Sequence, residues 1–165
     1  METVSVNNEE EILLSHQTRE LWVRRELEVE AWVKRSMPPA IRPKQTLLLD
    51  DIAVDAELYT ALLLLKQLQI RTEFSCAGVS ILDEPIDHSL YAYITILTTE
   101  NTAEQTERFV HHAMHRMKQR LLVTYEPERN RYDLSSFFIN HNRSFCTLIQ
   151  GCAESFALKT PSAPI

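Results

Sequence analysis

From Thr46 onward the hydrophobic pattern switches repeatedly between a period near 3.6 and a period of two, and this alternation constrains the fold more than any other feature. TLLL (46–49) is short and apolar and reads as a strand. Asp50, Asp51 and Asp55 precede AELYTALLLLKQLQI, an amphipathic helix with Asp55 in the capping position. RTEFSC (71–76) alternates, and LYAYITILT (90–98) is rich in Tyr, Ile and Thr, so both predict strands, the second of them central. TAEQTERFVHHAMHRMKQ (102–119) predicts a helix with Phe109, Val110, Ala113 and Met117 on one face. RLLVTYE and YDLSSFFIN flank the polar turn PERNR and predict a hairpin, and RSFCTLIQGCAESFA (143–157) predicts a last helix. The first six elements give a βαββαβ unit of the ferredoxin-like pattern, extended by a further strand and helix. The expected class is α+β with a mostly antiparallel sheet.

Residues 9–35 contain no Gly or Pro, carry Ile12, Leu13, Leu21, Trp22, Val29, Trp32 and Val33 at roughly helical spacing, and predict one long N-terminal helix capped by Asn7 or Asn8. SMPPAIRPK, with three prolines, predicts a stiff extended linker. The expected organisation is a helical segment (1–36), a Pro-rich linker (37–45), an α+β domain (46–158) and a frayed tail (159–165). At 165 residues and 44% hydrophobic, the chain is long enough for one well-filled core. The longest apolar run, 61–65, is far short of a membrane span, so no membrane partner is expected. The acidic N-terminus lacks the basic-then-apolar pattern of a signal peptide, and cytoplasmic residence is the expectation. Cys76, Cys146 and Cys152, odd in number and without CxxC spacing, are expected to be free thiols. A net charge of −6 argues against a large nucleic-acid footprint.

Only two glycines occur in the chain, and Gly78 stands two residues after the end of the strand-like run that closes on Ser75 and Cys76. Glycine at such a place predicts positive φ or a close backbone approach, and successive N–H groups in the turn can form an anion-binding nest. The alternative is a tight turn with an inert buried Cys76. A second polar group, Asn140, His141, Asn142 and Arg143, falls where a strand ends and the last helix begins. A helix start offers N–H donors, and Arg143 adds a fork-shaped cation, against the plain alternative of capping by Asn142. The expected ligand residues are therefore Ser75, Cys76, Gly78, Asn140, His141 and Arg143, receiving a small anionic or nucleotide-like ligand. His111 and His115 share a helix face, but without further ligands they read as exposed histidines, and no metal is expected. Asp83, Glu84, Asp87 and His88 form a loop that either serves acid–base work or is a solvated acidic loop.

TEFSCAGVSILD is similar to the Thr-x-x-Ser-Cys-x-Gly signature of the wybutosine-biosynthesis tRNA methyltransferase family. The likeness is close in letters across 72–78 and extends in element order over about 50–157. Val79 follows the glycine where that family carries arginine, and ITILTTE lacks the histidine the family has there. The resemblance implies S-adenosylmethionine as cofactor, RNA as substrate, and Cys76 or Asp87 near the chemistry. Residue reading alone assigns no catalytic group. A third expectation is self-association through the Trp-bearing N-terminal helix, without a ligand.

Overall fold

The structure, a computed structural model, describes residues 11–36, 40–80, 83–85 and 88–159. Its elements run β1 (Ile12–Leu13), α1 (Arg19–Val33), β2 (Ala40–Arg42), β3 (Thr46–Leu49), β4 (Ile52–Asp55), α2 (Tyr59–Gln67), β5 (Arg71–Cys76), β6 (Asp83–Pro85), β7 (Tyr93–Leu97), α3 (Ala103–Met117), β8 (Leu121–Glu126), β9 (Arg131–Ser136) and α4 (Asn142–Lys159). The α+β class and the mostly antiparallel pairing are as the alternation predicts. The main sheet has the order β1-β8-β9-β7-β5, antiparallel throughout. The only parallel pairing among the described residues is β2 with β6.

Three helices cover one face of this sheet. Ile94 and Ile96 of β7, Leu121 and Val123 of β8 and Leu134 of β9 meet Leu62 and Leu65 of α2, Phe109 and Val110 of α3, and Phe145, Ile149 and Phe156 of α4 in one buried cluster. Each large apolar side chain buried this way contributes about 1.5–3 kcal/mol. Phe109, Val110, Ala113 and Met117 are all buried, so the face read from the α3 sequence is the one that packs. The β8–β9 hairpin closes through Pro127–Arg129 and a left-handed Asn130 (φ 48°), a conformation Asn tolerates better than most residues.

Two parts of the expected architecture take another form. The run 46–49 lies outside the main sheet, pairing instead with β4 in a separate hairpin. Asp50 and Asp51, with φ of 50° and 66°, make its two-residue turn, and two consecutive positive φ values suit the right-handed twist of a tight hairpin. The ferredoxin-like unit therefore lacks its first strand. The first helix begins at Arg19, not at residue 9, with the Thr18 hydroxyl accepting from Leu21 N–H at 3.3 Å. Ahead of it, Ile12 and Leu13 pair with Tyr125 and Thr124, and Leu14 N–H donates to the Val123 carbonyl at 2.9 Å. The backbone of 11–15 thus finds its hydrogen bonds in the sheet edge. The proposed caps Asn7 and Asn8, and the tail from 160 on, lie outside the described residues.

One irregularity in β5 sets up the site. Thr72 lies opposite Ile96 and Ser75 opposite Ile94, so Glu73 and Phe74 together oppose the single residue Thr95. This is a β-bulge, fixed by Phe74 N–H donating to Thr95 Oγ1 at 2.7 Å. After the bulge, Ser75 aligns with the helix-covered face and Cys76, opposite Tyr93, with the other.

Candidate functional site

The turn after β5 is assembled from five stretches of chain. Ala77 N–H donates to Asp55 Oδ2 at 2.6 Å. Cys76 Sγ accepts from Gly78 N–H at 3.4 Å, from Ser89 N–H at 3.3 Å and from Lys44 Nζ at 3.6 Å. Lys44 Nζ also lies 3.7 Å from Asp55 Oδ1. From α4, Arg143 Nη1 donates to the Ala77 carbonyl at 3.3 Å and reaches the Gly78 carbonyl at 3.5 Å and Glu57 Oε1 at 3.9 Å. Two cations, two carboxylates and a thiol thus surround one short turn.

Gly78 has φ of +74°, as its position predicts, but its closeness is to protein. A Cβ there would stand 2.6 Å from the Ala92 nitrogen and 2.6 Å from Asn142 Nδ2. Asn142 is the fastener: Oδ1 accepts from Ala92 N–H at 2.9 Å, and Nδ2 donates to the carbonyls of Val79 at 2.7 Å and Leu90 at 2.9 Å. It does more than cap a helix, because it ties the β5 turn to the entry of β7.

The two predicted groups of site residues are brought together in part. Arg143 joins Cys76 and Gly78 at the turn. Ser75 sits beside them in sequence but on the sheet's helix side. Asn140 and His141 open instead onto a groove of about 480 Å³ beside α1, lined also by Arg24, Leu27, Glu28 and Phe138. There Glu28 of α1 accepts from Ile139 N–H at 2.6 Å and Asn140 N–H at 3.1 Å, so a carboxylate of the chain itself already occupies that helix start. Burial lowers the His141 imidazole pKa, with Arg120 adding to the effect, which favours the neutral ring. His111 and His115 are exposed on α3, and Asp87 lies outside the described residues.

Residues that the sequence reading did not single out extend the site across the sheet's second face. Register alternation places Tyr93, Asp133, Arg131 and Glu126 on the same side as Cys76. Arg131 donates to Glu126 Oε1 at 2.8 Å and lies 3.6 Å from Glu73 and 3.8 Å from Asp133. That hydrogen bond holds the Glu126 carboxyl below its usual range and raises Arg131. Burial pushes Asp133 up to about 6, against the pull of Arg131. Burial also raises Tyr93, helped by the nearby sulfur of Cys76. Glu11, Glu126 and Asp133 bring carboxylate oxygens within 4.8 Å of one another, a set that can hold a cation. The Arg131 guanidinium is the cation found among them. The alternating charges of β9, read as a strand, carried the signal that these side chains share a face.

Cys76, Cys146 and Cys152 are free and buried. Burial pushes the Cys146 thiol up to about 12 and raises Cys152 as well. No helix among the described residues is long and apolar enough to cross a membrane. Compared with protein-family models, with curated proteins and with solved structures, the chain matches none.

Proposed function

We propose that the protein binds a small anionic or nucleotide-like ligand at the 76–79 turn, between Lys44 and Arg143. The observation that carries this reading is the convergence of those two cations, 99 positions apart in the chain, on one turn. The turn's own donors are largely used: Ala77 N–H by Asp55, and Gly78 N–H by Cys76. The ligand is therefore held by side chains rather than by a backbone nest, and it displaces Asp55 and Glu57 from their cations. A cytoplasmic, reducing setting belongs to this reading, since three free thiols persist there.

The test is a thermal-shift and calorimetric panel of phosphate, nucleotides and S-adenosylmethionine. Lys44→Ala and Arg143→Ala should each weaken the ligand that binds by about tenfold, the loss expected for one charge-assisted hydrogen bond of about 1.5 kcal/mol. Glu57→Gln should strengthen it, because a competitor for Arg143 is removed. A panel without any hit, or a hit indifferent to both cations, overturns the reading. If S-adenosylmethionine binds, methyl transfer to RNA becomes the activity to assay, as the likeness at 72–78 implies.

A second reading, self-association, is favoured by α1. The helix buries no residue and leaves Val23 47% and Leu27 57% exposed one turn apart, with Val33 at 74%. Light scattering over a concentration series decides it: a monomer throughout removes this reading.

A further inference from the structure

Lys44 and Cys76 are 32 positions apart in the chain, yet Lys44 Nζ lies 3.6 Å from Cys76 Sγ. The sulfur is held in place as an acceptor by the N–H groups of Gly78 and Ser89. Asp55 Oδ1, 3.7 Å from the ammonium, keeps the long and flexible lysine stem at this corner. The lysine side chain is 24% exposed and Cys76 beneath it 4%, so Lys44 forms the solvent-facing side of this corner. Cys146 and Cys152 lie in the hydrophobic cluster, where burial outweighs the pull of Arg143 on the first and of Arg116 on the second and disfavours their thiolates.

We propose that Lys44 and Cys76 form a reversible covalent sulfur–nitrogen bridge when the protein meets hydrogen peroxide. In the first step the Cys76 sulfur attacks the peroxide, an S–O bond forms and the O–O bond breaks. The departing hydroxide takes up the thiol proton and leaves as water. Sulfur is oxidised by two electrons to the sulfenic acid, and peroxide is reduced. In the second step Lys44, having released its extra proton to water, attacks the sulfur through its nitrogen lone pair. The S–N bond forms, the S–O bond breaks, and hydroxide leaves with a proton from the nitrogen as a second water. An added thiol reverses the bridge: it attacks the sulfur and frees the amine, and a second thiol then releases Cys76 with formation of the reductant's disulfide. The bridge ties the segment before β3 to the end of β5, and it is independent of the ligand reading.

The experiment exposes the full chain to hydrogen peroxide at doses that leave Cys146 and Cys152 alkylatable after denaturation, followed by trypsin and mass spectrometry. The expected product is a peptide pair linked from Lys44 to Cys76, lighter by two hydrogens than the reduced pair. The tryptic cut after Lys44 is lost and returns with dithiothreitol. Recovery of Cys76 as sulfenic or sulfinic acid with Lys44 still cleavable overturns the proposal. So does a loss of two hydrogens confined to the Cys76 peptide, which marks closure on a backbone nitrogen. Lys44→Arg removes the linked pair if the proposal holds. The wild-type peptides decide the matter even where that variant does not fold.

Discussion

Asn142 offers one side-chain carbonyl and one amide, and the protein uses both. The residue is 1% exposed and holds three backbone groups, at Val79, Leu90 and Ala92. Removing the amide strands buried polar groups at about 1–3 kcal/mol each. Asn142→Ala should therefore cost about 3 kcal/mol or more, and Asn142→Asp should also destabilise, since it keeps the acceptor but loses both donors. Urea unfolding at neutral pH measures both. Gly78→Ala tests the same junction from the other side. It meets a positive φ and two contacts at 2.6 Å, so its cost should exceed the ~1 kcal/mol of an unstrained glycine replacement. A midpoint within a few tenths of a molar of wild type would mean that the turn relaxes around the methyl.

At the scale of elements, α1 is attached by a few polar and aromatic contacts rather than by a buried stripe. Trp22 meets Phe137 edge-on at 4.9 Å, Arg25 donates to the Phe137 carbonyl at 2.6 Å and stacks on Tyr91, and Glu28 caps the 139–141 turn. Trp22→Ala should loosen this helix selectively. Amide exchange in α1 should rise by an order of magnitude or more while α3 and α4 keep their protection. Equal loss of protection everywhere would show that α1 belongs to the cooperative core. The helices and strands facing the core were legible from periodicity because their partners are dictated by hydrophobicity alone. The edge strand at Ile12–Leu13 was not, since an isolated apolar pair fits a helix as well as a strand, and its partner lies in β8. The hairpin at 46–55 had a two-residue signal, Asp50-Asp51, which is a rare substitute for the usual Asn-Gly or Asp-Gly. At the site, Cys76, Gly78 and Arg143 were legible as unusual residues at element ends. Lys44 and Asp133 were not, because what distinguishes them is only their neighbours in space.

For the molecule as a whole, the carboxylates around Arg131 set a pH dependence. Asp133 has its folded-state value raised from 3.8 to about 6, chiefly by burial. Its contribution to stability is therefore full below 3.8 and is lost as pH rises through about 6. Glu126, lowered by its bond to Arg131, acts in the opposite sense: its contribution is present above 4.5 and fades as pH falls. Asp133→Asn should then stabilise the protein at pH 8, on the order of 2 kcal/mol, with the advantage shrinking toward pH 4. Urea midpoints for both proteins across that range give the answer, and an advantage constant with pH would rule out Asp133 titration as its source. The same sheet also orders events in time. Gln17 reaches the Leu121 carbonyl, Arg25 that of Phe137 and Glu28 the amide of Ile139, at separations of 104, 112 and 111 residues. A ribosome releases residues 12–33 long before it makes any of these partners, whereas β5, β7, β8 and β9 lie within 71–136 and can close on one another as they emerge. The stretch 12–33 thus waits for residues 121–139 before it acquires these contacts, and until then Trp22 travels without Phe137 to cover it.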